Sequence, residues 1–346
     1  MPSIAFLSFG IGRSGGEKVI VKLANGLQKK GWDASIVAPR NAIKDFYPIT
    51  AKVIATEPFR QVPFLEIPWS KQVLTRNCPK VDIVVGTWCL TIPSAQAAVR
   101  QDKARRMVYL AQHYEPIMFR GIKLPYRGLV DRYYRTLGPT TSVSSWIRDQ
   151  IVRVGGPDCT IIHPGIDHKD FYPRKVTKKP TQICAFGSTL QWKGTMDLIA
   201  AAQLARKQTP LRLVLIGRDV PPIPPELGNS VAPDNNHLAE ILSESAFHVM
   251  PSWLEGFSAP PLEAAACGIP SIITDCGGPS DYARHEENCL LVRPHDPEGM
   301  TAAIVRLLRD DTLRDQLGKA ALKTAEAFTW ERMVTQFDAF CRRALH

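Results

Sequence analysis

At 346 residues, with 45% hydrophobic and 22% charged residues, the chain is long enough for two cores and too ordinary in composition for a disordered or fibrous protein. Its formal charge of +10 is uneven: residues 1–170 carry 24 Lys+Arg against 13 Asp+Glu, a net +11, whereas residues 171–346 carry 19 against 20, a net −1. No apolar run approaches the ~18 residues of a membrane-spanning helix, and eight scattered cysteines without a CxxC pair fit reduced thiols rather than a disulfide framework or zinc site.

The first apolar stretch, residues 4–9, runs into glycines and has no basic segment before it, so it reads as a strand rather than a secretory leader and the chain is expected in the cytoplasm. Residues 17–30 place Val19, Ile20, Leu23, Ala24 and Leu27 on one helical face. Further strands are expected at 34–38, 83–86, 107–111 and 141–144. The pattern pauses at 163–181, rich in Pro, Lys and Asp. It restarts with strands at 182–186, 211–216, 246–250 and 271–274 and a helix at 194–207, and residues 296–346 read as helices. Alternation of this kind means parallel sheets covered by helices. The pause sets the expected organisation: domains over 1–168 and 169–328, and a closing helix over 329–346.

Two motifs compete for the chemistry. Gly10-Ile-Gly12-Arg-Ser-Gly15 stands between the first strand and a helix, the context of the dinucleotide fingerprint. An NAD site also wants an acid after the second strand. That strand ends instead in Val37-Ala38-Pro39-Arg40, which leaves an NADP-dependent oxidoreductase as an alternative through Arg40 and a 2′-phosphate. The second motif is Glu255-Gly-Phe-Ser-Ala-Pro-Pro-Leu-Glu263, with Gly268 and Pro270 beyond it. Pro260 and Pro261 suit the first positions of a helix, and Gly268 with Pro270 ends it. Free amides around Gly256 to Ala259 together with the helix dipole make an anion site. Two carboxylates there repel phosphate and are suited to accept hydrogen bonds from sugar hydroxyls; the plainer role is to complement the dipole.

The Glu-x7-Glu segment, Glu255 to Glu263, closely resembles that of retaining glycosyltransferases of family 4. The resemblance extends over nearly the whole chain: Gly15-Gly16-Glu17 resembles the family's glycine loop, His163-Pro-Gly165-Ile-Asp167 its interdomain segment, Gly187-Ser-Thr-Leu-Gln-Trp-Lys193-Gly194 its phosphate loop, and Asn288-Cys-Leu-Leu-Val a later motif. It implies an α/β GT-B fold, two Rossmann-like domains with parallel sheets facing across a cleft. It implies transfer of a hexosyl group, with retention, from a nucleotide sugar to a lipid-linked or polysaccharide acceptor; UDP-hexose is the expected donor because it is common in the family.

Residue by residue, the resemblance assigns Lys193 to the donor diphosphate, Glu255 to the donor sugar and Glu263 to the ribose. Phe257, Ser258 and Ala259 offer amides, Gly15 and Gly16 the approach to the diphosphate, and His113 a contact near the reacting carbon. One departure stands out: the family usually has arginine where this chain has Ser188, so half of the cationic clamp is missing, and Arg218 is the candidate replacement. No Asp-x-Asp occurs, so neither metal nor cofactor is expected. Ser188 also keeps open a non-catalytic nucleotide-sugar binder. The expected partners are the nucleotide-sugar donor and a glycan or glycolipid acceptor. Nucleic acid is not expected, because the basic residues are dispersed with no aromatic-interleaved motif. An anionic membrane surface is a candidate partner of the basic half, through Lys103, Arg105, Arg106, Arg120, Lys123, Arg127, Arg132 and Arg135, with Ile117, Met118, Phe119, Ile122 and Leu124 as shallow anchors.

Overall fold

The computed structural model describes residues 1–44, 46–59, 66–119 and 125–346. It comprises two compact units, Met1–Pro164 with Trp330–His346, and Gly165–Thr329. In the first, strands β1 (Ser3–Leu7), β2 (Asp33–Pro39), β3 (Lys52–Thr56), β4 (Val81–Gly86), β5 (Ala104–Ala111), β6 (Thr140–Ser142) and β7 (Thr160–Ile161) pair in parallel, in the order β3-β2-β1-β4-β5-β6-β7. In the second, β8 (Lys179–Phe186), β9 (Arg212–Ile216), β10 (Gly228–Val231), β11 (Ser245–Met250), β12 (Ser271–Thr274) and β13 (Cys289–Val292) pair in parallel, in the order β10-β9-β8-β11-β12-β13. Each order reverses once, between β1 and β4 and between β8 and β11. At such a reversal the connecting helices leave on opposite faces, and the crevice at the strands' carboxyl ends is where ligands bind.

The local sequence accounts for these elements. Ile4, Ala5, Phe6 and Leu7 are all buried, a continuous apolar run suited to a parallel strand covered on both faces. The run ends two residues earlier than its hydrophobicity suggests, because the Ser8 hydroxyl donates to the Gly10 carbonyl at 2.6 Å and turns the chain. Helix α1 (Gly15–Lys29) starts at a capping box in which Ser14 and Glu17 satisfy each other's backbone amides. It buries Val19, Ile20, Leu23, Ala24 and Leu27.

The final helix, α11 (Trp330–Leu345), lies against α1. A β-carbon on Gly26 would fall 2.4 Å from Val334; Trp32 donates to Asp338 at 2.7 Å, and Phe337 stacks on Phe6 at 6.1 Å. In the second unit α6 (Thr195–Arg206) and α9 (Pro297–Arg309) pack together over the sheet, burying Leu198, Ile199, Ile304 and Leu307. All eight cysteines are buried and unpaired. Among the described residues no helix is long and apolar enough to cross a membrane.

One expectation is corrected. Phe119, read as a shallow membrane anchor, is buried and meets the Tyr126 ring edge-on at 5.3 Å, while its carbonyl accepts from Arg127. Met118 is exposed. Arg120, Ile122, Lys123 and Leu124 lie outside the described residues.

Candidate active site

The reversal between β8 and β11 brings together the loops that follow those strands. Lys193 ends the first loop and Glu255 sits in the second, 62 residues apart in sequence, and the Lys193 ammonium donates to Glu255 Oε1 at 2.8 Å. The lysine side chain is 36% exposed and the carboxylate 13%, so the pair sits at the surface edge of the crevice with the acid on its inner side. Ser252 donates to the same Oε1 at 2.7 Å, and the Ser252 carbonyl in turn accepts from Thr274. The Glu255 backbone is pinned on both sides, its amide to the Cys276 carbonyl at 3.0 Å and its carbonyl to the Gly278 amide at 2.9 Å.

Glycine makes this approach possible. Gly194 has φ +64°, and a β-carbon there would lie 1.9 Å from the Pro251 carbonyl oxygen, so only glycine lets the two loops touch. Gly278 allows a second close approach in the following loop, where a β-carbon would fall 2.0 Å from the Gly256 oxygen. Trp253 then spans the loops: its amide donates to the Trp192 carbonyl at 2.8 Å and its indole N–H to Asp197 at 2.6 Å.

Beyond Glu255 the chain enters the short helix α8 (Pro260–Ala266) with prolines at its first two positions. The amides of Leu262 and Glu263 bond back to the Ala259 carbonyl, so the donors left over are those preceding the helix. Among the described residues, the amides of Ser258 and Ala259 meet no protein acceptor. Ser258 adopts φ +65°, a conformation costing a non-glycine residue of order 1–3 kcal/mol. Tyr282 holds it there by donating to the Ser258 carbonyl at 2.7 Å. Phe257 is buried and packs edge-on against Tyr282. Glu263 is half-buried in the first turn of α8.

Ser188 is spoken for. Its amide donates to Thr195 Oγ1 at 2.9 Å, its carbonyl accepts from the same hydroxyl at 2.9 Å, and its own hydroxyl accepts the Leu190 amide at 3.2 Å. The hydroxyl thus shapes the loop that carries Lys193. Arg218 follows β9 and is exposed; the next residue's carbonyl accepts from Thr189 at 2.9 Å, which sets Arg218 beside the same loop. Sequence reasoning missed Ser252, Thr195 and Trp253; a small hydroxyl residue just after a strand or a Lys-Gly pair is the only signal the first two gave, and Trp253 gave none.

The first unit carries the other assigned residues. Gly15 and Gly16 open α1; a β-carbon on Gly15 meets open space, and one on Gly16 would lie 3.3 Å from Gln112 Oε1. His113 follows β5 and is half-buried. Two residues on, Glu115 is fully buried, accepting from Tyr109 at 3.0 Å and from Tyr134.

The glycine loop itself is filled from within. A β-carbon on Gly10 would fall 2.8 Å from Glu17 Oε1 and one on Gly12 3.1 Å from Oε2, while Oε2 accepts the Ser14 amide at 2.9 Å. A carboxylate therefore lies against Gly10 and Gly12, and its charge disfavours a pyrophosphate approaching those two glycines.

A cavity of about 630 Å³ lined by Gln203, Arg206, Lys207 and Glu226 lies at the carboxyl end of α6. Since α6 runs back antiparallel to the strands, that cavity is at the opposite end of the strands from Lys193. Among the described residues no group of three or more His, Cys, Asp or Glu side chains is arranged to hold a metal ion.

The family model described as Glycosyltransferase Family 4 matches residues 13–170, and that described as Glycosyl transferases group 1 matches residues 180–310. Both units thus resemble glycosyltransferase domains. The chain is similar to an MMP alpha-(1->4)-mannosyltransferase of Mycolicibacterium hassiacum, 28% identical over 198 residues, 54% of this chain and 48% of that protein. It is also similar to a D-inositol 3-phosphate glycosyltransferase of Paenarthrobacter aurescens, 29% identical over 222 residues, 53% of this chain and 52% of the relative. The matched segments span about half the length of these two relatives. Among solved structures, sucrose-phosphate synthase from Thermosynechococcus elongatus superimposes with a TM-score of 0.85 at 20% identity, covering 99% of both chains. Anabaena HepE in complex with UDP and glucose superimposes with 0.81 at 15%, covering 99% of this chain and 100% of that one. These likenesses are of fold: the two units are Rossmann-like α/β domains of the GT-B class.

Proposed function

We propose that the chain is a retaining, metal-independent hexosyltransferase that takes its donor as a nucleotide sugar, with UDP-hexose the preferred donor, and passes the sugar to a lipid-linked or polysaccharide acceptor in cell-surface glycan synthesis, working at the cytoplasmic face of the membrane. The observation that carries this reading is the Lys193–Glu255 pair at the β8/β11 reversal, with the Ser258 and Ala259 amides in the same loop. A cation and such amides suit a diphosphate whose charge grows as the glycosidic bond breaks. A neighbouring carboxylate suits sugar hydroxyls. In this reading Lys193 neutralises the leaving diphosphate, Glu255 accepts from the donor sugar and Glu263 from the ribose. HepE has been crystallised with UDP, which supports uridine as the base. The net +11 of residues 1–170 supports an anionic acceptor or membrane surface for the first unit.

The test is a screen of nucleotide sugars for thermal stabilisation and slow hydrolysis, with and without EDTA, followed by NMR of the released sugar's anomeric configuration. Stabilisation and EDTA-insensitive release of the donor's own anomer from UDP-hexose is the expected result. Turnover that stops with EDTA would refute metal independence, and binding without any turnover would point to a donor-binding protein instead.

A further inference from the structure

At the reversal of the first sheet, between β1 and β4, four aromatic rings of the described residues meet. Phe9 follows β1 and Trp88 follows β4; Trp69 comes from α2 (Glu66–Asn77) and Phe59 from the segment after β3. Ring centroids lie 4.9 Å apart for Phe9–Phe59, 5.1 Å for Phe9–Trp88, 4.7 Å for Phe59–Trp69 and 6.0 Å for Phe9–Trp69. All four side chains are only half-buried. Phe9 and Trp69 rest on the buried cluster of Leu7, Val37, Leu74 and Val84. Phe59 and Trp88 are not part of that cluster, so they cap other rings rather than the core.

The backbone beneath the rings is fixed. Asn41 grips Phe59 from both sides, donating to its carbonyl at 2.7 Å and accepting its amide at 2.9 Å. The Trp88 amide is held by Thr91 at 3.2 Å, and Phe9 sits in the turn closed by Ser8 and Gly10. Among the described residues neither the Trp69 nor the Trp88 indole N–H donates to the protein, and neither is a buried donor left unsatisfied.

The geometry points to a carbohydrate-binding platform formed by Phe9, Phe59, Trp69 and Trp88, which takes the neutral sugar ring of the acceptor. This rests on the glycosyltransferase reading above and adds the chemistry that recognises the second substrate. A pyranose presents polarised C–H bonds on one face, which meet the negative face of an aromatic ring, and hydroxyl oxygens at its edge, which accept from an indole N–H. A polyisoprenyl chain uses the rings alone and leaves two donors desolvated, so the two N–H groups favour sugar over lipid tail.

The experiment is a titration of the full chain with glucose, galactose, mannose, N-acetylglucosamine and their disaccharides and trisaccharides, followed by tryptophan fluorescence and calorimetry, beside a titration with UDP. We expect at least one saccharide to shift the fluorescence saturably. Trp88→Leu should weaken it at least tenfold, and Asn41→Ala, which releases Phe59 without removing a ring, should weaken it in the same direction, with UDP affinity within twofold of the parent. UDP binding with no response to any saccharide overturns the platform and leaves the donor reading standing. A saccharide response indifferent to both variants overturns it too, as does a response only to vesicles containing a polyisoprenyl phosphate. Loss of both UDP and saccharide binding in the parent chain removes the platform and the reading beneath it together.

Discussion

Lys193 and Glu255 hold each other at 2.8 Å across two loops that only a glycine, Gly194, allows to touch. At this exposure the pair itself contributes little to stability, of order 0–1 kcal/mol. Its consequence is orientation. The ammonium is kept at the mouth of the crevice, and a diphosphate entering there competes for a cation already in place.

Lys193→Ala should therefore weaken nucleoside-diphosphate binding by about 1.5–3 kcal/mol, the range for hydrogen bonds to charged groups. Calorimetry on the folded variant checks this. Unchanged affinity would take Lys193 out of the site.

Glu255→Gln keeps the shape and weakens hydrogen bonds that tighten as charge develops on the sugar. Turnover should fall more than donor affinity. Glu263→Ala should instead weaken nucleotide binding with no sugar attached. Steady-state kinetics and calorimetry separate the two effects. Variants that lose stability alone would mean that both acids merely complement the short α8 helix.

Gly194→Ala tests the loop contact. With φ +64° and a β-carbon 1.9 Å from the Pro251 oxygen, it should cost about 1–3 kcal/mol or more and weaken nucleotide binding with it. Urea denaturation reads the first and UDP titration the second. Parental stability would show that the two loops are able to separate without penalty.

Glu115 gives a pH signature. Burial pushes its carboxyl up to about 7, against the hydrogen bonds from Tyr134 and Tyr109, which pull the other way. An acid whose folded value lies above its unfolded one binds more protons when folded. Its contribution to stability is complete below about 4.5 and is lost as pH rises through about 7. Glu115→Gln should flatten that region of the profile, losing less between pH 5 and 8 than the parent does. Equal slopes in thermal melts would place the titration elsewhere.

Membrane association follows from the charge split. The parent should sediment with anionic vesicles at low salt and release as salt rises, each nearby Lys or Arg contributing about 1 kcal/mol. Arg106 and Arg132 are exposed, and reversing both should weaken binding. Lys103 is a poorer candidate than its charge suggests, since its ammonium is bound to the carbonyls of Arg76 and Cys78. Equal binding to neutral vesicles, or none to either, would assign the basic surface to another partner.

The long buried strands were legible because parallel strands covered on both faces read as unbroken apolar runs. β10 was not: Gly-Asn-Ser-Val is polar and pairs only with β9, and Gly228 is there because a β-carbon would collide with the Leu213 oxygen at 1.8 Å. The two-residue β7 ends the other sheet and carries as little signal, whereas β3 at its opposite edge, Lys-Val-Ile-Ala-Thr, has the β-branched apolar character of a strand. Lys193, Glu255 and Glu263 were singled out by motif, yet nothing in their spacing said that Lys193 and Glu255 pair. That contact depends on a strand order no local pattern encodes. Glu17 misled in the opposite sense. Its neighbours spell a phosphate-binding fingerprint, and the carboxylate that packs against Gly10 and Gly12 lies just beyond them in sequence.

The burial of all eight cysteines equips the chain with a built-in clock. Burial pushes thiols such as Cys184, Cys267, Cys276 and Cys289 up to about 12, so in the native state they are both unreachable and undissociated. A thiol reagent at neutral pH then reacts only as fast as the structure opens, with the unfolded chain's ordinary thiols near 8.5. Cys341 belongs to the first unit and those four to the second, so mapping labelled peptides over time would show which unit opens first. The same silence makes Arg218→Cys a clean attachment point for a dye beside the Lys193 loop, with no competing native thiol to remove.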